Sequence, residues 1–280
     1  MRPIGFDYRS KLPGQKWRST WDIALFAGGF VPALIFGVAF GNLLQGVPFH
    51  FDNDMRIFYT GSFWTLLNPF ALAAGLLSLS MLIMHGGVFL QLKTEGYINQ
   101  RCKKVVTVFA IITLAIFALA GIWIANIDGY HISTEVLPNA PSNPLAKIVY
   151  KEPGLWLDNY AHYPLLWAIP GLAFIAGAAT LVLSKIERPG LAFIASSLTL
   201  ASVILTAGVS MFPFLIPSSS AMNSSLTVWD ASSSLATLKI MFWVTVIFLP
   251  IIVVYTSWVF RVLRGKITLE HIHQNDHTAY

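Results

Sequence analysis

The 280-residue chain contains a single cysteine, Cys102. One cysteine excludes an intrachain disulfide and a cysteine-based metal site. Charged residues are also scarce, since they make up 11% of the chain against about 25% in soluble domains. Hydrophobic residues make up 55%. This composition excludes an ordinary soluble domain and predicts an integral membrane protein.

Catalytic motifs are lacking as well. The sequence contains no phosphate-binding loop, no zinc-protease helix motif and no nucleophile elbow. The net charge of +5 does not arise from a stripe of basic residues with interleaved aromatics, so we expect no nucleic-acid partner. We expect no cleavable signal peptide, because the first apolar run is too long for a signal sequence.

Long apolar runs are what the chain does have. The first run, 23–41, contains no Asp, Glu, Lys or Arg and leads into the polar sequence GNLLQG. It can cross a hydrocarbon core of roughly 30 Å at about 1.5 Å per residue. Within it, Gly37 and Gly41 predict the close approach of a neighbouring backbone. Ser19 or Thr20 is the expected N-cap of this helix.

Five further runs have no charged residue near their middle, namely 63–90, 105–126, 165–184, 191–212 and 238–260. The sequence therefore predicts an all-α, polytopic integral membrane helical bundle with about six transmembrane helices. We treat residues 1–280 as a single transmembrane domain. Bends are expected at Pro32, Pro69, Pro170 and Pro250, and small-residue faces such as Ala173/Gly177 should mediate helix packing and contact with a partner chain.

Lysine and arginine alternate between the connections. Fourteen of the 18 lie before the first run, after the last run, or in the connections 91–104 and 185–190. By the positive-inside rule both termini are cytoplasmic, and the connections 46–62, 127–164 and 213–237 lie outside. The nine tryptophans fall near span ends, which is typical of an aromatic belt. Residues 217–236 are small and polar, so disorder is the default expectation there.

His85 is the one titratable residue near membrane depth, with Met81 and Met84 within a helical turn. It could be a haem ligand or a proton-relay imidazole. It could also be a histidine at the cytoplasmic membrane interface, because Lys93 follows closely. We favour the interfacial interpretation.

Other polar residues also have two interpretations. Asn42 and Gln45 could bind a quinone carbonyl or line a water path, but helix capping is the more common role. Asn68 and Pro69 indicate a local kink within the second span. Asp230 could be a proton entry or exit group, although an acid at a helix N-terminus on the outer surface is favoured.

The C-terminal tail has a metal-like composition, with His271, His273 and His277 beside Glu270 and Asp276. Their spacing does not place three ligands on one helical face. A solvated tail is therefore the favoured interpretation.

Several stretches, taken in order, resemble a known family. They are RPIGFDYRSK at 2–11, GVAFGNLLQGVPF at 37–49, YTGSFWTLLNPF at 59–70, FALAGIWI at 117–124, IDGY at 127–130, LWAIP at 166–170, SSLTLASVILTAGVSMFPFLIPSS at 196–219 and MNSSLTVWDASSS at 222–234. The chain resembles subunit II of cytochrome bd ubiquinol oxidase, a membrane quinol:oxygen oxidoreductase of bacterial respiratory chains. The resemblance runs from residue 2 to Tyr280.

The resemblance implies a non-haem subunit of a terminal oxidase in the bacterial inner membrane. The enzyme oxidises ubiquinol, reduces oxygen to water and generates proton-motive force without pumping. Haems b and d would lie in the partner, subunit I, and this chain would have a structural role with a contribution to a proton path. A structural quinone, membrane lipid and a small single-helix accessory subunit are further expected partners.

Family members carry an additional N-terminal portion with transmembrane helices before the RPIGFDYR segment. The resemblance therefore implies an N-terminally truncated or partial chain. No catalytic or cofactor-binding residue is carried over, and Tyr280 is a weak candidate for lining the proton route. The alternatives are a transporter or permease subunit and a non-functional fragment of the oxidase subunit.

Overall fold

A computed structural model of the chain describes residues 2–12, 14–135, 143–262 and 265–266. Its described part contains six helices that are long and apolar enough to cross a membrane. They are α2 (Gln15–Gln45), α3 (Pro69–Lys93), α4 (Gly96–Ile124), α6 (Ala168–Lys185), α7 (Pro189–Met211) and α8 (Leu235–Val262); the short helices are α1 (Arg2–Arg9) and α5 (Asp158–His162). The prediction of six membrane-spanning helices is confirmed.

The starts of two helices differ from the sequence prediction. Helix α2 begins at Gln15, after Gly14, so Ser19 and Thr20 are not its N-cap. The Thr20 hydroxyl donates to the carbonyl of Lys16 within the helix, at 2.9 Å. Similarly, α3 begins at Pro69 rather than near residue 63.

Asn68 is the N-cap of α3, and its side-chain oxygen accepts from the backbone N–H of Ala71 at 2.8 Å. Proline suits the first helical position because its missing N–H would have no partner there. The predicted kink at Asn68 and Pro69 is therefore wrong. Pro170 lies in the first turn of α6, which is also tolerant of proline, whereas Pro32 and Pro250 lie inside α2 and α8.

Helices α2 and α3 pack closely where glycine removes the side chain. A Cβ atom on Gly41 would lie 2.6 Å from the Cα of Ala71, and one on Gly37 would lie 2.7 Å from the Cα of Gly75. The Ser78 hydroxyl donates across the contact to the carbonyl of Ala33 at 2.8 Å. The predicted close approach is confirmed, and the neighbour is a helix of the same chain.

The small-residue face of α6 is also used within the chain. A Cβ on Gly177 would lie 2.6 Å from Leu114 of α4. Ala173 is completely buried in a cluster that includes Leu77 of α3 and Val203 of α7. These residues do mediate helix packing, but their burial leaves them inside the bundle rather than available for a partner chain.

The three connections predicted to share one side of the membrane meet at one end of the bundle and form antiparallel hairpins. These pair β1 (Phe49–Phe51) with β2 (Ile57–Tyr59), β3 (Asp128–Ile132) with β4 (Val149–Pro153), and β5 (Phe214–Ile216) with β6 (Leu226–Thr227). We call the described residues of 46–62, 127–164 and 213–230 the outer cap.

The outer cap shares a hydrophobic core with the adjoining ends of α2, α3 and α7. The buried residues of this core are Leu44, Phe70 and Met211 from the helices and Tyr130, Val149, Trp156 and Phe214 from the outer cap. The serine-rich part of the cap is ordered by hydrogen bonds. Ser218 and Ser225 are fully buried, and the Ser225 hydroxyl accepts from the N–H of Ser218 at 2.9 Å. Disorder over 217–236 was therefore the wrong expectation, because the small side chains fit between the hairpins.

The close contact between α2 and α3 generates a stability prediction. We expect Gly41→Leu to destabilise the chain itself by about 1–3 kcal/mol, because a side chain cannot enter this contact without moving α3. Thermal unfolding of the purified chain in detergent would measure the loss. Gly121→Leu is the control, since a Cβ on Gly121 meets no atom within 4 Å. Equal stability of the two variants would contradict the prediction.

Candidate functional site

Asn42 and Asn68 form a side-chain bridge between α2 and α3, next to the outer cap. The Asn42 amide nitrogen donates to the carbonyls of Val38 and Leu66, each at 2.8 Å. Its oxygen accepts from the Asn68 amide at 3.0 Å. Both N–H groups of Asn42 are thus used within the chain, so Asn42 has none left for a quinone carbonyl. Its role is to join the two helices through the short turn at Trp64–Leu66.

The last carbonyls of α2 are satisfied by aromatic side chains of the outer cap. The indole N–H of Trp156 donates to Leu44 at 2.9 Å, and the hydroxyl of Tyr130 donates to the backbone carbonyl of Gln45 at 3.4 Å. Carbonyls at a helix C-terminus have no partner within the helix, so the cap completes α2. Trp156 is 1% exposed and belongs to the cap core rather than to the predicted aromatic belt.

Gly46 follows α2 with φ of +85°, and the Tyr130 hydroxyl occupies the space that a Cβ would need. This position therefore requires glycine for two independent reasons. Burial, together with the negative charge of Asp128, raises the pKa of Tyr130 to about 12. The phenol is consequently a neutral hydrogen-bond donor at physiological pH.

Asp230 forms a buried ion pair with Lys147. The Lys147 ammonium lies 2.5 Å from the Asp230 carboxylate, and the two side chains are 8% and 9% exposed. Lys147 also donates to the carbonyl of Pro144 at 2.7 Å, while Asp230 accepts from the N–H of Thr227 at 2.6 Å. Asp230 is therefore not an acid on the outer surface, as the sequence suggested. It connects the chain before β4 to the chain that leads into α8.

His85 lies on α3 and contacts α7. Its Nδ1 is 2.8 Å from the hydroxyl of Ser196, and this hydroxyl donates to the carbonyl of Phe193 at 2.9 Å. A hydroxyl has one hydrogen to donate, so the His85 Nδ1–H is the donor in the pair. The imidazole also stacks on Phe193, with ring centroids 4.8 Å apart.

The contacts of His85 are those of a packing residue between α3 and α7. Met81 and Met84 lie on the same helix as His85. Among the described residues there is no group of three or more His, Cys, Asp or Glu that could hold a metal ion. His271, His273, His277 and Tyr280 lie outside the described residues.

A polar cavity of about 340 Å³ lies at the end of the bundle opposite the outer cap. Its floor is a buried pair in which the Gln91 amide donates to the Ser184 hydroxyl at 2.8 Å and the hydroxyl donates back at 3.0 Å. At its rim, the Lys103 ammonium lies 2.5 Å from Glu187 and holds the pKa of that carboxyl below its usual value. The cavity can hold water, and its charged groups are paired.

Sequence reasoning missed Lys147, Tyr130 and Trp156. Lys147 and Trp156 are single residues in a connection, without a motif at a fixed spacing, and Tyr130 ends the IDGY stretch, which by itself assigns no role to the phenol. Each of them contacts residues that are distant in the chain. Only the burial of the side chain in the folded protein distinguishes it from other residues of the connections. No residue pattern in the sequence predicts burial of a lysine.

Comparisons with known proteins match nearly the whole chain to one family. The family described as cytochrome bd terminal oxidase subunit II matches residues 1–263. The chain is 50% identical to cytochrome bd-I ubiquinol oxidase subunit 2 of Escherichia coli K12, over all of this chain and 74% of that protein. It is 49% identical to the probable cytochrome oxidase subunit 2 of Haemophilus influenzae, with the same coverage.

The fold also resembles a solved structure, that of the bd oxidase from Geobacillus thermodenitrificans. The TM-score is 0.62 at 16% identity, with 94% of this chain and 69% of the other chain covered. At this identity the likeness concerns the fold alone.

The buried pair in the outer cap generates a stability prediction. We expect Lys147→Met to destabilise the chain by about 3–5 kcal/mol, because it leaves the Asp230 carboxylate buried without its counter-charge. Adding Asp230→Asn should recover part of that loss, since the charge is then removed. Thermal unfolding in detergent would measure both effects.

Lys151→Met is the matched control, because Lys151 pairs with Asp128 at 3.2 Å in a partly exposed position. This substitution should lower the free energy of unfolding by less than about 1 kcal/mol. If Lys147→Met cost no more than this control, the ion pair would not hold the cap together.

Tyr130 generates a pH prediction. In the unfolded chain the phenol ionises near its ordinary pKa of 10.0, whereas in the folded chain it ionises at about 12. Its contribution to stability is therefore constant below pH 10 and is lost as the pH rises from about 10 to about 12. The difference in melting temperature between the natural chain and Tyr130→Phe, measured from pH 8 to pH 12, should shrink over that interval. A difference independent of pH would contradict this expectation.

Proposed function

The chain belongs to the cytochrome bd terminal oxidase subunit II family, and on that basis we propose that it is the non-haem subunit that pairs with subunit I in a bacterial quinol oxidase. It is a multi-pass membrane protein and a subunit of an oxidoreductase complex. In the proposed reaction two quinols and one oxygen molecule give two quinones and two waters.

We propose that haems b and d are held by subunit I, where they would supply the oxygen chemistry. The observation that supports this assignment of the haems is the polar interior of the bundle, whose side chains bond to each other. Ser80 and Thr113 join α3 to α4 at 3.0 Å, and Gln91 and Ser184 join α3 to α6. These polar groups hold the helices of this chain together, so its contribution is a rigid helical surface against which subunit I packs.

The proposed orientation follows from charge. The outer cap collects the connections that are poor in Lys and Arg, whereas the opposite end carries the basic ones. The positive-inside rule then places both termini in the cytoplasm and the outer cap on the other side of the inner membrane. The outer cap would seal the ends of the helices beside subunit I.

The same proposal includes a contribution of this chain to a proton path. It also includes a structural quinone, bound lipid and a single-helix accessory subunit as partners. Tyr280 stays a prediction for the proton path. Within the described residues, the polar cavity above Gln91 and Ser184 opens at the end that would face the cytoplasm. It is a place where water could enter, which supports a path on this side.

Co-expression with subunit I tests the proposed function. We expect the 280-residue chain to co-purify with subunit I, because its apolar outer faces need a helical partner, and the complex to consume oxygen with quinol as the donor. A reduced-minus-oxidised spectrum would measure haem content. Subunit I that purifies alone with its haems and full activity would contradict the proposal.

A further inference from the structure

Helix α4 carries basic residues at the point where its apolar run begins. Its first turns contain Arg101 and Lys104, and residues 105–126 contain no Asp, Glu, Lys or Arg. The helix ends at Ile124, which packs against the core of the outer cap, so its start lies at the opposite end of the bundle. Lys104 therefore lies at the level of the phospholipid headgroups, immediately outside the hydrocarbon core.

Exposed residues continue the face of Lys104 into the membrane. Positions 101, 104, 108 and 111 are three or four apart, which places them on one side of a helix. Arg101 and Lys104 are exposed, while Val108 is 51% exposed and Ile111 is 55% exposed. Side chains on a helix lean towards its N-terminus, so the two cations are directed towards the headgroups. One face thus presents positive charge at the interface and aliphatic side chains beneath it.

A groove of about 370 Å³ opens on this face, separate from the polar cavity above Gln91. It is lined by Lys103, Lys104, Thr107 and Val108, and its volume is within the range of about 300–1,000 Å³ for small-molecule sites. The Thr107 hydroxyl donates to the carbonyl of Lys103 at 2.9 Å, so its one hydrogen is already used. The part of the groove below the ammonium groups therefore suits an acyl chain better than a polar solute.

The acidic residues near this face are paired with other lysines. Glu187, before α7, lies 2.5 Å from Lys103, and Glu95, before α4, lies 3.1 Å from Lys266. In the part of the chain that the structure describes, neither these nor other carboxylates form an ion pair with the two exposed cations of α4. The positive charge of the face is consequently uncompensated within that part of the chain.

Arg101 contacts an aromatic ring rather than a carboxylate. Its guanidinium lies 5.5 Å from the centroid of the Tyr97 ring. This contact orients the guanidinium and leaves its N–H groups available to an acceptor. A phosphate diester provides such acceptors together with a negative charge.

We propose that this face of α4 is a binding site for an anionic phospholipid. Lys104 and Arg101 bind the phosphate, and one acyl chain lies in the groove along Thr107 and Val108. A zwitterionic lipid fits less well, because within the described residues this face offers no unpaired carboxylate to the cation of its headgroup. The proposal specifies the bound lipid of the proposed function and rests on that function for the place of the lipid in the cytoplasmic leaflet. The binding itself requires neither subunit I nor oxidase activity.

The test uses the purified, delipidated 280-residue chain in detergent. Native mass spectrometry counts bound molecules during titration with dioleoyl phosphatidylglycerol, an anionic probe, or with the zwitterionic dioleoyl phosphatidylcholine. We expect the anionic lipid to bind at least tenfold more tightly. Arg101→Gln combined with Lys104→Gln should weaken its binding about 30-fold, since a basic residue near an anionic lipid contributes about 1 kcal/mol and about 1.4 kcal/mol corresponds to tenfold.

Lys16→Gln combined with Arg18→Gln is the matched control. Both residues are exposed in the first turns of α2, at the same end of the bundle, and their replacement removes the same charge. The control should change the affinity less than twofold. Val108→Trp fills the groove without changing the charge and should weaken binding at least fivefold. Thermal unfolding without added lipid confirms that each variant is folded.

Equal affinity for the two lipids, or an equal loss in the two double variants, would indicate attraction by overall charge and overturn the proposal. Full binding to the Val108→Trp chain, or displacement of the lipid by an equal concentration of inorganic phosphate, would indicate a site for the anion alone and also overturn it. A lipid that is lost when subunit I co-purifies would assign the face to that subunit, with the same consequence. Because the titration needs neither subunit I nor oxygen uptake, failure of the proposed function does not alter its outcome.

Discussion

The membrane interior offers no water to backbone polar groups, so each of them has to be paired within the protein. This constraint explains why the described spans are helices and why their ends are covered by side chains from distant parts of the chain. At the end of α2, Trp156 and Tyr130 donate to carbonyls that the helix cannot satisfy. The outer cap is thus needed for the helices to end where they do, and its core of large aromatic residues holds these donors in position.

The same constraint shapes the interior of the bundle. Buried serines and threonines bond to carbonyls of their own helices, to a carbonyl of a neighbouring helix, as Ser78 does, or to side chains on neighbouring helices, as in the contact between Ser80 and Thr113. Hydrogen bonds between membrane helices contribute about 0.6 kcal/mol each on average, so they specify which helices meet more than they stabilise the fold. Close packing at Gly37 and Gly41 supplies the complementary van der Waals contact.

An interior that satisfies its own polar groups supports the proposal that the haem chemistry of the complex lies in subunit I. The inward-facing residues of α3, α4, α6 and α7 are committed to each other, and His85 is oriented by Ser196 for a packing contact. Family membership and this commitment are consistent with a subunit that acts by shape and position. Helix α8 is the exception, because it is attached at both ends by ion pairs and remains uncovered between them.

The sequence by itself determined the membrane class, the six spans and the division of the connections between two sides, because hydropathy and basic charge act over whole segments. It also determined the close approach at Gly41, since a missing side chain has a local effect. Tertiary structure alone decided that Asn68 caps α3, that the serine-rich 217–236 region is ordered in its hairpin part, and that Asp230 is buried against Lys147. Those outcomes depend on partners that are distant along the chain, as Lys147 and Asp230 are 83 positions apart, and no local pattern records which distant residues will meet.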